Sequence, residues 1–107
     1  MDKVCIGLVE DVEVGGKVIK AKIDTGARGN SISKSLAEEL GLEGLGKTIL
    51  VKSASGQQVR PLVGAEIVLK GKKLDTHFNV ADRSHLQYQI LIGVEVLKQG
   101  FLIDPSL

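Results

Sequence analysis

Asp24 stands within the stretch 20–33, KAKIDTGARGNSIS, at the end of an alternating run and among residues too small to shield it. Thr25, Gly26 and Ala27 follow directly, and more small polar residues come after them. A carboxylate displayed in this way can take a proton from water or give one to a carbonyl oxygen. The same triplet also suits an ordinary strand-end turn, because Asp and Gly are common turn formers. Asp24 therefore has to be weighed against the elements that carry it.

Other residues with chemical potential are less well placed. His77 and His85 fall in different inferred elements, without ligand spacing to each other or to Cys5, so no zinc site is expected. Cys5 lies in an apolar run and is predicted to be a buried structural thiol; a single cysteine cannot form an internal disulfide. Asp82 and Arg83 read as a turn salt bridge, Asp104 before Pro105 as a strand-end cap, and Lys70 to Lys73 as a solvated turn. Arg28 is expected to pair with an acid that orders its loop, or to contact substrate. No glycine-rich phosphate loop with a lysine is present, which argues against ATP chemistry.

Composition narrows the class. The 107 residues fit one domain, 1–107, and hold 14 basic and 13 acidic side chains for a net charge of +1. No block of like charge appears, and aromatics make up only 3%, so neither the electrostatic footprint nor the stacking platforms of a nucleic-acid binder are present. No secretory leader or long apolar run is visible, which points away from membranes and toward the cytoplasm. With 43% apolar residues and so few aromatics, the core must be aliphatic, a composition that favours strands.

The elements that must position Asp24 are short. Residues 4–14 alternate at period two, Gly15-Gly16 makes a hairpin turn, and 17–23 alternate again, so the second strand delivers Asp24 at its end. Gly26 is expected to turn the chain sharply through angles that other residues avoid. Residues 33–40, SKSLAEEL, read as a helix capped by Ser33 and closed by Gly41. Strands are predicted over 48–54 and 57–69, joined at Ser55-Gly56, with Pro61 marking an edge or bulge. A hairpin at Gly71 leads into 74–80; then come a strand at 89–93, a helical turn over 94–97, and a last strand at 101–104. Two strand-to-glycine segments, at Ile23–Gly26 and Leu91–Gly93, are each followed by a helix, but only the first carries a carboxylate. The pattern is mostly β with two short helices, in a closed or orthogonally packed barrel.

The segment IDTGA resembles the active-site motif of aspartic proteases. Leu91-Ile92-Gly93, about 70 residues downstream, with Leu97 after it, matches the strand and helix that cross behind that loop in retroviral-type enzymes. The segments IKAKIDTGAR, VKSASGQQVRPLV and FNVADRSHLQYQILIGVEVLKQGFLIDPS are similar to the small single-domain proteins labelled ATP-dependent zinc proteases. Where that subgroup tends to have Thr-Ser-Ala-Leu-His after the arginine, this chain has Gly29-Asn30-Ser31-Ile32-Ser33, without the histidine. The resemblance implies an all-β, retropepsin-like acid-protease barrel and an aspartic endopeptidase that needs no metal or other cofactor.

It also implies roles. Such catalysis needs two carboxylates about 3 Å apart sharing one proton. With one Asp-Thr-Gly per chain, the second must come from another copy, so the expected assembly is a two-fold homodimer with Asp24 and Asp24′ at the axis. Thr25 would hydrogen-bond across the axis, Gly26 would allow close approach, and Ala27 and Arg28 would line the groove. The hairpin around Ala54, Ser55, Gly56 and Gln57 would be the flap that closes over an extended peptide or unfolded protein. The alternatives are a peptide-binding or dimerisation module of the same fold with little turnover, and, ranked last, a metal-dependent peptidase.

Overall fold

The alternating apolar residues of the first third build a hairpin, because every second side chain can then enter one core. In the computed structural model, which describes residues 2–54 and 56–107, β2 (Val9–Val14) pairs antiparallel with β3 (Lys17–Ile23). Gly15 and Gly16 join them with φ of 57° and 81°, the double left-handed turn that glycine makes without strain. Upstream, the single strand expected over 4–14 is interrupted at Gly7 and Leu8. Its first part is β1 (Val4–Ile6), which leaves the barrel to pair in parallel with β9 (Phe101–Ile103).

The rest of the chain comprises β4 (Asn30–Ser33), α1 (Lys34–Glu39), β5 (Glu43–Ser53), β6 (Gly56–Leu69), β7 (Lys72–Ala81), β8 (Ile90–Ile92) and α2 (Val94–Leu97). Pairing runs β2–β3–β8–β4–β7–β6 and returns to β2 through Val12 opposite Leu69, which closes a six-stranded barrel. The core is mainly aliphatic as expected: Val12, Ala21, Ile32, Ile67, Leu69, Ile90 and Ile92 are sealed around Phe78, and Phe101 is the second buried aromatic. Among the described residues no helix is long and apolar enough to cross a membrane.

β5 stands outside the closed circuit and pairs only with β6. The register slips between Gly44 and Thr48 while β6 advances only from Val63 to Pro61, so the extra residues form a bulge facing the proline. Because β7 joins β6 from Leu62 onward, the arm from Thr48 to Pro61 is two-stranded and projects beyond the barrel.

The structure departs from the sequence reading at Cys5 and at residues 30–33. Cys5 is exposed, not buried, because β1 packs inward through Val4 and Ile6 and turns the residue between them to solvent. Residues 30–33, where the sequence suggested no strand, form β4 with all four residues buried. Ser33 caps α1 as expected, its Oγ accepting from the Leu36 N–H at 3.2 Å, and the helical residues run from Lys34 to Glu39.

Candidate active site

The two strand-to-glycine segments lie side by side. β3 and β8 run parallel with Ile23 opposite Ile92, and the Asp24 N–H donates to the Ile92 carbonyl at 2.9 Å. The chain thus leaves β3 and β8 at the same level, Asp24 from one and Gly93 from the other. β8 in turn pairs with β4, so the loop 24–29 is bounded at both ends by strands bonded to the same three-residue segment.

α2 grips this loop from below. The Val94 N–H donates to the Ala27 carbonyl at 2.8 Å and the Glu95 N–H to the Arg28 carbonyl at 2.8 Å. These are first-turn donors that the helix itself cannot satisfy. The approach is close enough that a β-carbon on Gly93 would stand 2.7 Å from the Ala27 oxygen, and nearer still to the Gly29 oxygen.

Asn30 fixes the far end. It is 2% exposed, and its Oδ1 accepts from the Gly93 N–H at 3.0 Å. Its Nδ2 donates to Thr76 Oγ1 and to the His77 carbonyl, both at 3.0 Å. The Asn30 carbonyl accepts from Asn79 Nδ2 at 2.8 Å, and Asn79 Oδ1 accepts from Arg60 Nη1 at 2.9 Å. A polar chain therefore runs from the base of the projecting arm to the underside of the loop. Asn30 was not singled out from the sequence; a buried polar residue just beyond a candidate loop was the only available signal.

On the outer side, the Asp24 carboxylate is half-buried and receives the Gly26 N–H on Oδ1 at 2.8 Å. Its second oxygen has no hydrogen-bond partner among the described residues, and no cation pairs with it. The chain turns at Thr25 and Gly26 as expected, with the Ala27 N–H donating to the Asp24 carbonyl at 3.3 Å, but Gly26 lies outside the left-handed region, contrary to the angles expected of it. Its requirement is spatial: a β-carbon there would press on Asp24 Oδ1 at 3.1 Å. Thr25 is exposed, and its hydroxyl makes no hydrogen bond among the described residues. Ala27 is half-buried. Arg28 is exposed and makes no ion pair, so the expected loop-ordering pair is absent among the described residues.

The structure separates the hairpin tip from the loop in sequence but carries both on the same frame. Ala54, Gly56 and Gln57 are exposed at the end of the two-stranded arm, and Gly56 has a φ of 117°. Ser55, also expected there, lies outside the described residues. Farther along the arm, Leu50 sits opposite Val59, at 51% and 67% exposure, an apolar cross-strand pair with nothing over it.

Residues 82–89, between β7 and β8, close another side. The expected Asp82–Arg83 salt bridge does not form. Asp82 instead accepts from the Ser84 N–H at 3.0 Å and the Ser84 hydroxyl at 2.6 Å, which holds its carboxyl below the ordinary range. Arg83 turns inward, to 8% exposure. Asp104 caps its strand end as expected, accepting from Ser106.

The donor set does not suit a metal. Ser33 Oγ caps α1 and donates to Gln89 Oε1 at 3.1 Å. Among the described residues no three of His, Cys, Asp or Glu lie together in a metal-binding group.

A half-buried carboxylate at a strand end, clamped by a crossing strand and helix inside a closed six-stranded barrel, defines the retropepsin-like architecture. The family model for aspartyl proteases matches residues 10–96, and the chain belongs to that family. No match is found among curated proteins. Among solved structures, it is similar to the Legionella pneumophila protein Lpg0085, of unknown function, at 20% identity and a TM-score of 0.68 over 97% of this chain and 95% of that one. The simian foamy virus protease is 19% identical, with a TM-score of 0.64 over 84% of this chain and 91% of the other. The protease of EIAV, bound to the inhibitor HBY-793, is 18% identical, with a TM-score of 0.69 over 84% of each chain.

Proposed function

We propose that the chain is an aspartic endopeptidase, active as a symmetric homodimer in which Asp24 of each copy supplies half of one catalytic dyad. The observation that carries this reading is Asp24 itself, clamped from behind by Ile92, Val94 and Glu95 yet left with one carboxylate oxygen unengaged. The position beside it at the end of the neighbouring parallel strand is Gly93, so one chain offers one acid there. A second copy of the loop related by a two-fold axis would bring the other.

At such an axis the two carboxylates share a proton, because like charges so close cannot both ionise. The ionised one takes a proton from a water molecule as its oxygen attacks the peptide carbonyl. The protonated one donates to the carbonyl oxygen, and the tetrahedral intermediate then breaks at C–N as the amine gains a proton. Thr25, exposed in the single chain, would find its partner across the axis. The arm ending in Ala54 and Gly56 would close over the substrate backbone, adding strand-like hydrogen bonds and displacing water. Membership of the aspartyl protease family and the likeness of the fold to viral proteases support this reading.

The test is cleavage of an unstructured protein by the wild type and by Asp24→Asn, with solution mass measured for both. Loss of cleavage with fold and mass retained supports the dyad. Cleavage that survives the substitution contradicts it. A peptide-binding module would show binding in both forms and turnover in neither.

A further inference from the structure

Arg83 is an arginine nine-tenths buried that forms no ion pair among the described residues. Its Nε–H donates to the Tyr88 carbonyl at 2.9 Å, which holds the turn 84–88. Its two Nη groups have no hydrogen-bond partner among the described residues, and all the ion pairs found there use lysine. Nor are they sealed: among the described residues the only buried side-chain polar atom lacking a partner is Ser31 Oγ. Arg83 lines an open groove of about 1050 Å³, together with Pro61, Val63 and Val80.

An arginine this deep is ordinarily paired, because its charge loses the solvation of water. Here burial, and then the positive charge of Arg60, push Arg83 below the usual guanidinium range, while the Asp24 carboxylate pulls it back. The guanidinium thus lies within the electrostatic reach of both the loop acid and the base of the projecting arm. Arg60 itself is held only by neutral oxygens, those of Gln58 and Asn79. Of the carboxylates on the groove, Asp82 is turned onto Ser84, and Glu38 lies on the exposed face of α1.

A purely structural arginine would spend its donors on the chain. Arg83 spends only Nε–H and leaves the Nη edge, whose in-plane N–H groups match a carboxylate, without a partner among the described residues that line the groove.

We infer that Arg83, backed by Arg60, is an anion subsite of the groove and takes a carboxylate of the bound peptide. This inference rests on the reading of the chain as a peptide-cleaving protein and names its substrate class: peptides carrying an Asp or Glu side chain, or a free C-terminus, at the Arg83 position. The neighbouring aliphatic wall would take the adjoining apolar side chain.

The test is equilibrium binding of labelled peptides to the full chain carrying Asp24→Asn, which separates recognition from turnover. Three peptide sets are compared: one with Glu at each position in turn, one with Gln at the same positions, and one with free or amidated C-termini. The expected result is that one acidic form binds about 10- to 100-fold more tightly than its neutral counterpart, as charge-assisted hydrogen bonds would give. Adding Arg83→Gln should remove that preference while leaving binding of the neutral peptides unchanged. A Glu-dependent gain assigns a side-chain carboxylate, and a gain lost on amidation assigns the terminal one. Arg60→Gln, on the exposed arm, should reduce the preference by a smaller factor and serves if the Arg83 variant does not fold.

Equal binding of acidic and neutral peptides overturns the inference, as does a preference that survives Arg83→Gln. A fall in solution mass with Arg83→Gln also overturns it, since the anion would then belong to a second copy. Arg83-dependent binding without any cleavage by the wild type would sink the protease reading alone. Cleavage with no acidic preference would sink the anion subsite alone.

Discussion

Gly93 and Ala27 approach so closely that a β-carbon on Gly93 would lie 2.7 Å from the Ala27 carbonyl oxygen, which the next residue's N–H already holds at 2.8 Å. Both obstructing atoms, the Ala27 and Gly29 oxygens, are backbone, so no rotamer change relieves the contact. Gly93→Ala is expected to destabilise the fold by about 3 kcal/mol or more, at or above the usual range for overpacking. Urea denaturation measures this. A change below about 1 kcal/mol would show that the loop 24–29 can shift freely, contrary to the clamp described above.

Asn30 holds the same glycine from the other side, through Oδ1. Replacing it with alanine leaves the buried Gly93 N–H without an acceptor and removes the bonds to Thr76 and His77. The expected loss is about 2–4 kcal/mol, dominated by the orphaned donor. Asn30→Asp should fare no better, because it keeps the acceptor but loses both donated bonds and buries a charge. Equal stability of either variant with the wild type would remove Asn30 from the account.

Ser31, the next residue, is the converse case. It is 4% exposed, and its hydroxyl has no hydrogen-bond partner among the described residues. A buried unpaired hydroxyl costs about 1–3 kcal/mol, so Ser31→Ala should leave stability unchanged or raise it by about 1 kcal/mol. A clear loss on the same denaturation curve would mean that the hydroxyl gains a partner in solution.

How much of this was legible in the sequence divides along physical lines. The hairpin into Asp24, the Ser33 cap, the Gly41 stop and α2 could all be read, because each depends on local alternation or local hydrogen bonding. β4 could not. Asn30, Ser31 and Ser33 carry no apolar alternation, and the segment is extended because β7 and β8 flank it on both sides. Cys5 was misjudged because its apolar neighbours hide that β1 buries only one face. Of the site, Asp24 was legible from its motif. The inward turn of Arg83 was not, since Asp82 beside it looked like its natural partner and prefers Ser84.

The projecting arm should matter to function more than to stability. Gly56 has a φ of 117°, which other residues rarely adopt, but the arm from Thr48 to Pro61 pairs only with itself. Gly56→Ala should therefore change kcat and KM together while shifting global stability by less than about 1 kcal/mol. Unchanged kinetics would remove the arm from the reaction.

Asp82 and Asp104 each accept from a serine two residues on, and both carboxyls are held below their ordinary value of 3.8. A carboxyl lowered on folding adds stability that is present above the unfolded value and lost as pH falls through the folded one. Ser84→Ala with Ser106→Ala should thus lower the thermal midpoint slightly at pH near 7. The two proteins should converge as the pH drops below 3.8. A difference that persists undiminished into acid would mean that the serines act by packing.

The proposed activity needs a dyad built from two chains, and mixing tests that most directly. Wild-type chains are combined with increasing amounts of Asp24→Asn chains at fixed total concentration, and cleavage of one peptide is followed after exchange. Activity is expected to fall as the square of the wild-type fraction, because only pairs with both acids can activate water. Activity that falls in simple proportion to that fraction would mean that each chain works alone.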